Sequence, residues 1–311
     1  FEDYTIEFAS HVNILIGVNG AGKSNVLSAL RKALSFMFGQ HQDFTKRLNT
    51  STNSNLRAFR EWDARFTPNN GEFHYPVELA IDAIFEQQNL HWSLKKKDNK
   101  GAAQPTLYRD ALGTVLQHYS QTTWAQMPVL SFYSDAFPHA KANVGKSAAT
   151  TIGQAVLPRD FAYYGWDEDS NCMDLWALRY KKLTLALVGY NRRENNSASK
   201  MDATLQQYAK EQKFIEDKLK TFTALLPQSQ EWGLDSQINK RLCIEELNMT
   251  PTNGDLTLEF VFQNGSRMPF ETLPQGYKRL FSLLIDLAFR CYTLNGERES
   301  GGIVFIDEVD L

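Results

Sequence analysis

The stretch Gly17-Val18-Asn19-Gly20-Ala21-Gly22-Lys23-Ser24 decides how this chain is read. It follows the pattern G-x-x-x-x-G-K-[ST], in which successive backbone N–H groups wrap the phosphates of a nucleotide. The glycines let the chain curl into a nest that side chains would obstruct. Lys23 is placed to neutralise the β- and γ-phosphates, Ser24 offers a hydroxyl to Mg²⁺, and the start of the following helix adds its partial positive charge. Asn19, Gly20, Ala21, Gly22, Lys23, Ser24 and Asn25 are therefore the expected ATP-binding residues.

The flanks suit that reading. His11-Val12-Asn13-Ile14-Leu15-Ile16 is a short apolar run expected as a strand, and Asn25 to Phe38 carries Val26, Leu27, Leu30, Ala33, Leu34 and Met37 at helical spacing. Strand, glycine loop and helix occur in the order phosphate binding requires. Far along the chain, Ile303-Val304-Phe305-Ile306-Asp307-Glu308 is an apolar strand ending in two carboxylates. A buried parallel strand delivers acids to the C-terminal edge of a sheet in this way. Asp307 is expected in the Mg²⁺ shell with Ser24, and Glu308 is expected to polarise the attacking water, so Glu308, Asp307 and Lys23 form the expected catalytic set.

Between these motifs, Leu273-Pro274-Gln275-Gly276-Tyr277-Lys278-Arg279 opens the apolar helix Leu280 to Cys291. In this order the three segments resemble the ABC-type ATPase heads of the SMC, RecF and OLD group. Phe1-Glu2-Asp3-Tyr4 with the phosphate loop, and Phe305 through Asp-Glu-Val-Asp-Leu, look most like the antiphage ATPases of that group, the PtuA kind found in Septu and retron-associated systems. The likeness is close over residues 1 to 40 and 256 to 311 and loose between them.

That resemblance implies two heads sandwiching two ATP molecules, with the signature segment of one pressed across the nucleotide of the other. By position, the trans contacts fall on Gln275, Gly276 and Tyr277, with Lys278 and Arg279 near the interface and Asp310 in the loop crossing between heads. Pro274 stands where the family has a serine that bonds the γ-phosphate; it can open a helix but donates nothing. The family's switch histidine would follow Leu311, and its glutamine loop is matched only by Gln87 or Gln88. The resemblance further implies a self-association partner, as an ATP-sandwich homodimer or higher oligomer, a nuclease effector subunit, and DNA or a reverse-transcriptase/msDNA complex.

The fold class that follows is α/β, an ABC-type P-loop head with an antiparallel β subdomain and a helical insertion. Residues 1–157 are expected as the first lobe, 158–235 as the helical insertion and 236–311 as the second lobe. Alternation from Val77 to Phe85, resumed through Trp92 and Leu94 after Gln87-Gln88-Asn89, predicts an antiparallel hairpin. Pro128 to Tyr133 reads as a buried strand, and Leu256 to Phe262 returns through the Asn264-Gly265 turn to Met268 and Phe270 as a second hairpin. Met201, Leu205, Tyr208, Gln212, Ile215, Leu219, Phe222 and Leu226 repeat every three or four residues, either as an arm or as a helix packed on its own domain.

Composition narrows the alternatives. Lys plus Arg total 33 against 36 Asp plus Glu, a net charge of −3, which rules out coating nucleic acid by bulk charge. Any such contact is confined to a patch such as Lys95-Lys96-Lys97 with Lys100, or Arg179, Lys181, Lys182, Arg192 and Arg193; a solvated surface is the simpler reading of both. No window supplies the roughly 20 apolar residues of a bilayer span. Cytosol is the expected compartment, with Cys172, Cys243 and Cys291 reduced and structural and no zinc spacing among them. The missing initiator Met and the end directly after the acidic motif suggest the middle of a longer protein. Two other readings remain open: the ATPase half of a RecF/OLD-like repair or nuclease protein, and a nucleotide-locked scaffold with slow turnover.

Overall fold

The computed structural model describes residues 3–39, 59, 61–100, 104–106, 108–121, 125–134, 146–166, 172–194, 202–225, 243–252 and 255–307. The chain divides into two compact units, Phe1–Ala125 and Gln126–Leu311. Mixed α/β architecture is found as expected, and the expected lobe boundary at residue 157 falls inside the second unit.

In the first unit, α1 (Lys23–Gly39) follows the glycine loop. β1 (Arg65–Thr67) and β2 (Glu72–His74) form a small antiparallel pair. β3 (Val77–Phe85), β4 (Gln88–Lys96) and β5 (Gln104–Thr106) form an antiparallel sheet in that order, and α2 (Tyr108–Gln121) packs on β4. The buried face of β4 carries Leu90, Trp92 and Leu94. Trp92 also donates its indole N–H to the Ala33 carbonyl at 3.2 Å, tying the sheet to α1. Lys32 on α1 is buried and paired with Asp63 at 2.5 Å. The predicted hairpin is present, but its turn is Glu86-Gln87, both at positive φ (46° and 65°), whose twist suits a two-residue loop. Gln88 and Asn89, predicted in the break, instead pair with Phe85 and Ile84.

The strand predicted at His11–Ile16 is not formed. The carboxamide of Asn13 accepts the Ala9 N–H at 2.8 Å and donates to the Ala9 and His11 carbonyls at 2.9 and 3.2 Å. Such local bonding competes with a sheet ladder, and no described strand pairs with this segment. Val12, Ile14, Ile16 and Val18 consequently stand exposed.

Among the described residues, the second unit is built around two sheets. β6 (Val129–Tyr133), the strand predicted there, pairs in parallel with β10 (Gly302–Ile306). Gly302 is required where β10 begins, because a Cβ would collide with the Val129 backbone. β7 (Ile244–Thr252), β8 (Asp255–Phe262) and β9 (Arg267–Pro269) form an antiparallel sheet, the last two being the predicted second hairpin with Gly265 at φ 80°. β7 escaped the sequence reading because a register shift between Ile244 and Glu246 breaks its alternation.

Between the β6–β10 pair and β8 runs α6 (Gln275–Asn295), buried along most of its length. Phe281 stacks on Phe260 at 4.8 Å, and Phe289 stacks on Trp176 at 5.0 Å. The remaining α-helices among the described residues of this unit are α3 (Lys146–Ile152), α4 (Cys172–Glu194) and α5 (Ala203–Leu225). The heptad seam lies on α5 and faces its own unit: Tyr208, Ile215 and Leu219 are buried, and the helix packs on α4, α6 and β7. Met201 and Leu226 lie outside the described residues. Arg179 on α4, wholly buried, grips both oxygens of Glu211 on α5 at 2.8 and 2.6 Å and also donates to the Ile152, Gln154 and Ala155 carbonyls. The helices are thus keyed to one another by a saturated ion pair, an arrangement a projecting arm does not need.

Candidate functional site

The glycine loop has the backbone shape its sequence demands. Gly20 and Gly22 adopt φ of 83° and 92°, a region closed to most side chains, and α1 begins at the next residue, Lys23. The Ala21 N–H bonds the Val18 carbonyl at 3.1 Å, closing the turn. Lys23 folds its ammonium back over the loop, donating to the Gly17 and Val18 carbonyls at 2.7 and 3.2 Å. A cation is therefore held over the concavity where a phosphate would lie. Asn19, Gly20, Ala21, Ser24 and Asn25 are all exposed around it, so the sequence-predicted residues come together on one open loop.

In the second unit, Asp307 lies at the C-terminal edge of the parallel pair. Asp307 follows β10 directly, and its N–H bonds the Tyr133 carbonyl at 2.8 Å, one step beyond the Ile306–Tyr133 register pair. Glu308 and Asp310 lie outside the described residues. Gln275 and Gly276 open α6 and are exposed, with nothing within 4 Å of a Cβ built on Gly276; Tyr277 is half-buried against Phe281 at 5.8 Å. Pro274 caps this helix without any side-chain bond, as its ring dictates. Arg279 extends a guanidinium nitrogen to the Ser134 carbonyl at 3.5 Å, just past β6. Gln87 and Gln88 lie exposed at the tip of the β3–β4 hairpin.

One acid was missed by the sequence reading. Asp286 sits in the buried run Phe-Ser-Leu-Leu-Ile-Asp-Leu-Ala-Phe-Arg of α6 and accepts from Tyr133 Oη at 2.7 Å, Trp176 Nε1 at 2.5 Å and Arg290 Nε at 2.7 Å. Arg290 in turn donates to the Ala162 and Tyr164 carbonyls at 2.6 and 3.0 Å. Burial and the neighbouring Asp286 carboxylate push the Tyr133 phenol well above its ordinary range, so it remains protonated and donates. The available signal was an acid and an arginine four residues apart inside an otherwise apolar helix.

The basic clusters are largely occupied. Lys95 pairs with Glu78 at 2.7 Å, Lys96 is buried against the Phe59 carbonyl, Lys181 pairs with Asp255, and Lys182 lies over the Tyr208 ring. Arg179 is spent on Glu211, while Lys97 and Lys100 stay exposed. Phe161, Tyr163 and Trp166 are buried in the core. Cys243 and Cys291 are free, and burial raises both thiols above their ordinary range. Among the described residues no group of His, Cys, Asp or Glu is arranged to hold a metal by itself, and no helix is long and apolar enough to cross a membrane. The donors the sequence offers Mg²⁺, the Ser24 hydroxyl and the Asp307 carboxylate, are hard oxygens of the kind that ion takes alongside substrate phosphates and water.

A glycine nest opening a helix, with its lysine folded over the concavity, defines a P-loop nucleotide-binding protein. The family model for an AAA domain matches residues 1–249, and the chain belongs to that family of ATPases. The match covers the phosphate loop and ends before α6 and β10. No curated protein matches the chain.

Proposed function

We propose that this protein is a Mg-ATP-hydrolysing ABC-type head that pairs with a second copy around ATP and thereby controls a DNA-directed nuclease in a bacterial antiphage complex of the PtuA kind. The observation that carries the ATP clause is the Lys23 ammonium fixed over the Gly17–Ser24 loop at 2.7 Å from the Gly17 carbonyl. Backbone N–H groups of the loop bind the phosphates, Lys23 exchanges its carbonyl partners for phosphate oxygens, and Ser24 and Asp307 hold Mg²⁺. When bound, Mg²⁺ supplies charge neutralisation at the phosphates. Glu308 orients the water and takes its proton. The open N-terminus of α6 at Gln275 and Gly276 leaves room for close approach by another molecule's nucleotide. The pairing, the effector and the DNA or msDNA partner rest on the resemblance of the motifs.

The test is the solution mass of Glu308→Gln with Mg-ATP, with Mg-ADP and without nucleotide. Removal of the water-orienting carboxylate traps the ATP-bound state, so the mass doubles with ATP alone. An unchanged mass, with ATP binding confirmed, removes the pairing clause and the Gly276 contact with it.

A second reading, a nucleotide-locked scaffold, is favoured by Pro274, which presents no donor at the start of α6. Supplying a hydroxyl there with Pro274→Ser raises steady-state phosphate release about tenfold or more, since single donors aimed at developing negative charge carry effects of that order. A rate unchanged by Pro274→Ser leaves slow turnover without this cause.

A further inference from the structure

We infer that Asp286 is a positioning residue for Asp307, acting through Tyr133, an assignment that rests on the reading of Asp307 as a member of the Mg²⁺ shell. Tyr133 ends β6, and its two ends perform different tasks. Its carbonyl receives the Asp307 N–H at 2.8 Å, the last bond between the two strands. Its phenol donates to the buried Asp286 carboxylate at 2.7 Å.

That carboxylate is itself immobile, because Trp176 and Arg290 take further lone pairs and Arg290 is locked to two carbonyls. Bonds to an ionised acceptor are shorter and stronger than neutral ones, whereas a two-stranded parallel ladder is the weaker kind of pairing. The position of the last ladder bond, and of the acid that follows it, is therefore set from α6 rather than by the strands alone. Arg279, seven residues before Asp286 and so on the same face of α6, reaches the adjacent Ser134 carbonyl at 3.5 Å. One polar stripe of the helix that opens with Gln275 and Gly276 thus holds the Tyr133 phenol and the Ser134 carbonyl at the end of β6.

The experiment is Mn²⁺ binding, read by electron paramagnetic resonance, to the full chain with a non-hydrolysable ATP analogue. Tyr133→Phe keeps the ring and the backbone carbonyl and removes the phenol's hydrogen bonds, to Asp286 and to Ser131; it weakens Mn²⁺ binding about tenfold, the low end for loss of an outer-shell partner. Tyr180→Phe is the control, because it removes a comparable buried phenol–carboxylate bond, Tyr180 to Glu216 at 2.6 Å, between α4 and α5. It lowers the melting temperature similarly and leaves Mn²⁺ affinity unchanged. Asp307→Asn weakens Mn²⁺ binding at least as much as Tyr133→Phe. Wild-type affinity in Tyr133→Phe, with Asp307→Asn weakened, overturns the positioning role and leaves the Asp307 reading intact. Wild-type affinity in Asp307→Asn removes that reading and the positioning role together, and equal loss in Tyr180→Phe overturns the positioning role by showing general loosening. If Tyr133→Phe does not fold, Trp176→Phe, which removes another donor from the same carboxylate, is read instead and must shift Mn²⁺ affinity in the same direction.

Discussion

Lys23→Ala lowers the affinity for Mg-ATP by a factor of about a hundred. The estimate follows from hydrogen bonds to charged groups, worth roughly 1.5–3 kcal/mol, taken at the upper end because the lysine answers a multiply charged phosphate. The same ammonium donates to the Gly17 and Val18 carbonyls, so the variant also loses the tie that keeps the loop closed around its concavity. Fold stability changes by less than about 1 kcal/mol, because the loop is largely exposed and surface substitutions have effects of that size. Titration with a fluorescent ATP analogue, beside a urea melt of the same preparation, separates the two quantities. Affinity within threefold of wild type would mean that the backbone nest alone holds the phosphates.

Asp286→Ala destabilises the second unit by about 3–5 kcal/mol, the range for removing one partner of a buried ion pair. Four donors converge on that carboxylate, Ser131 and Tyr133 from β6, Trp176 from α4 and Arg290 from α6 itself, and the variant leaves Arg290 with its charge uncompensated in the core. In a unit of this size the loss corresponds to a fall of roughly 10 °C in melting temperature. Calorimetry of the full chain checks it, and a loss below about 1 kcal/mol would show that Arg290 turns to other acceptors when the acid is removed.

How much was legible in the sequence differs between elements for identifiable reasons. The glycine loop, α1, the two hairpins, β6, α6 and β10 were readable because each is specified by residues adjacent in the chain: glycines where φ is positive, alternation on a half-buried face, apolar spacing along a helix. The strand expected at His11–Ile16 has the right side chains, yet a strand exists only with a neighbour, and the carboxamide of Asn13 offers its backbone a local alternative. The β7 pattern was hidden by its register shift. The heptad seam on α5 could be read as an arm or as a packed helix, and the Arg179–Glu211 pair between α4 and α5 decided for packing.

By itself, the sequence determined the chemistry of the phosphate loop. Eight consecutive residues fix its backbone conformation, its charge and its place before a helix, and no distant contact is needed for any of these. Tertiary structure alone decided which polar residues are buried and what they hold. Lys95 and Arg179 read as a surface charge patch until Glu78 and Glu211 are seen beside them, and Asp286 is one acid in an apolar helix until Tyr133, Trp176 and Arg290 converge on it. The physical reason is distance along the chain: Tyr133 and Asp286 are separated by 153 positions, and only folding brings the donor and acceptor to 2.7 Å.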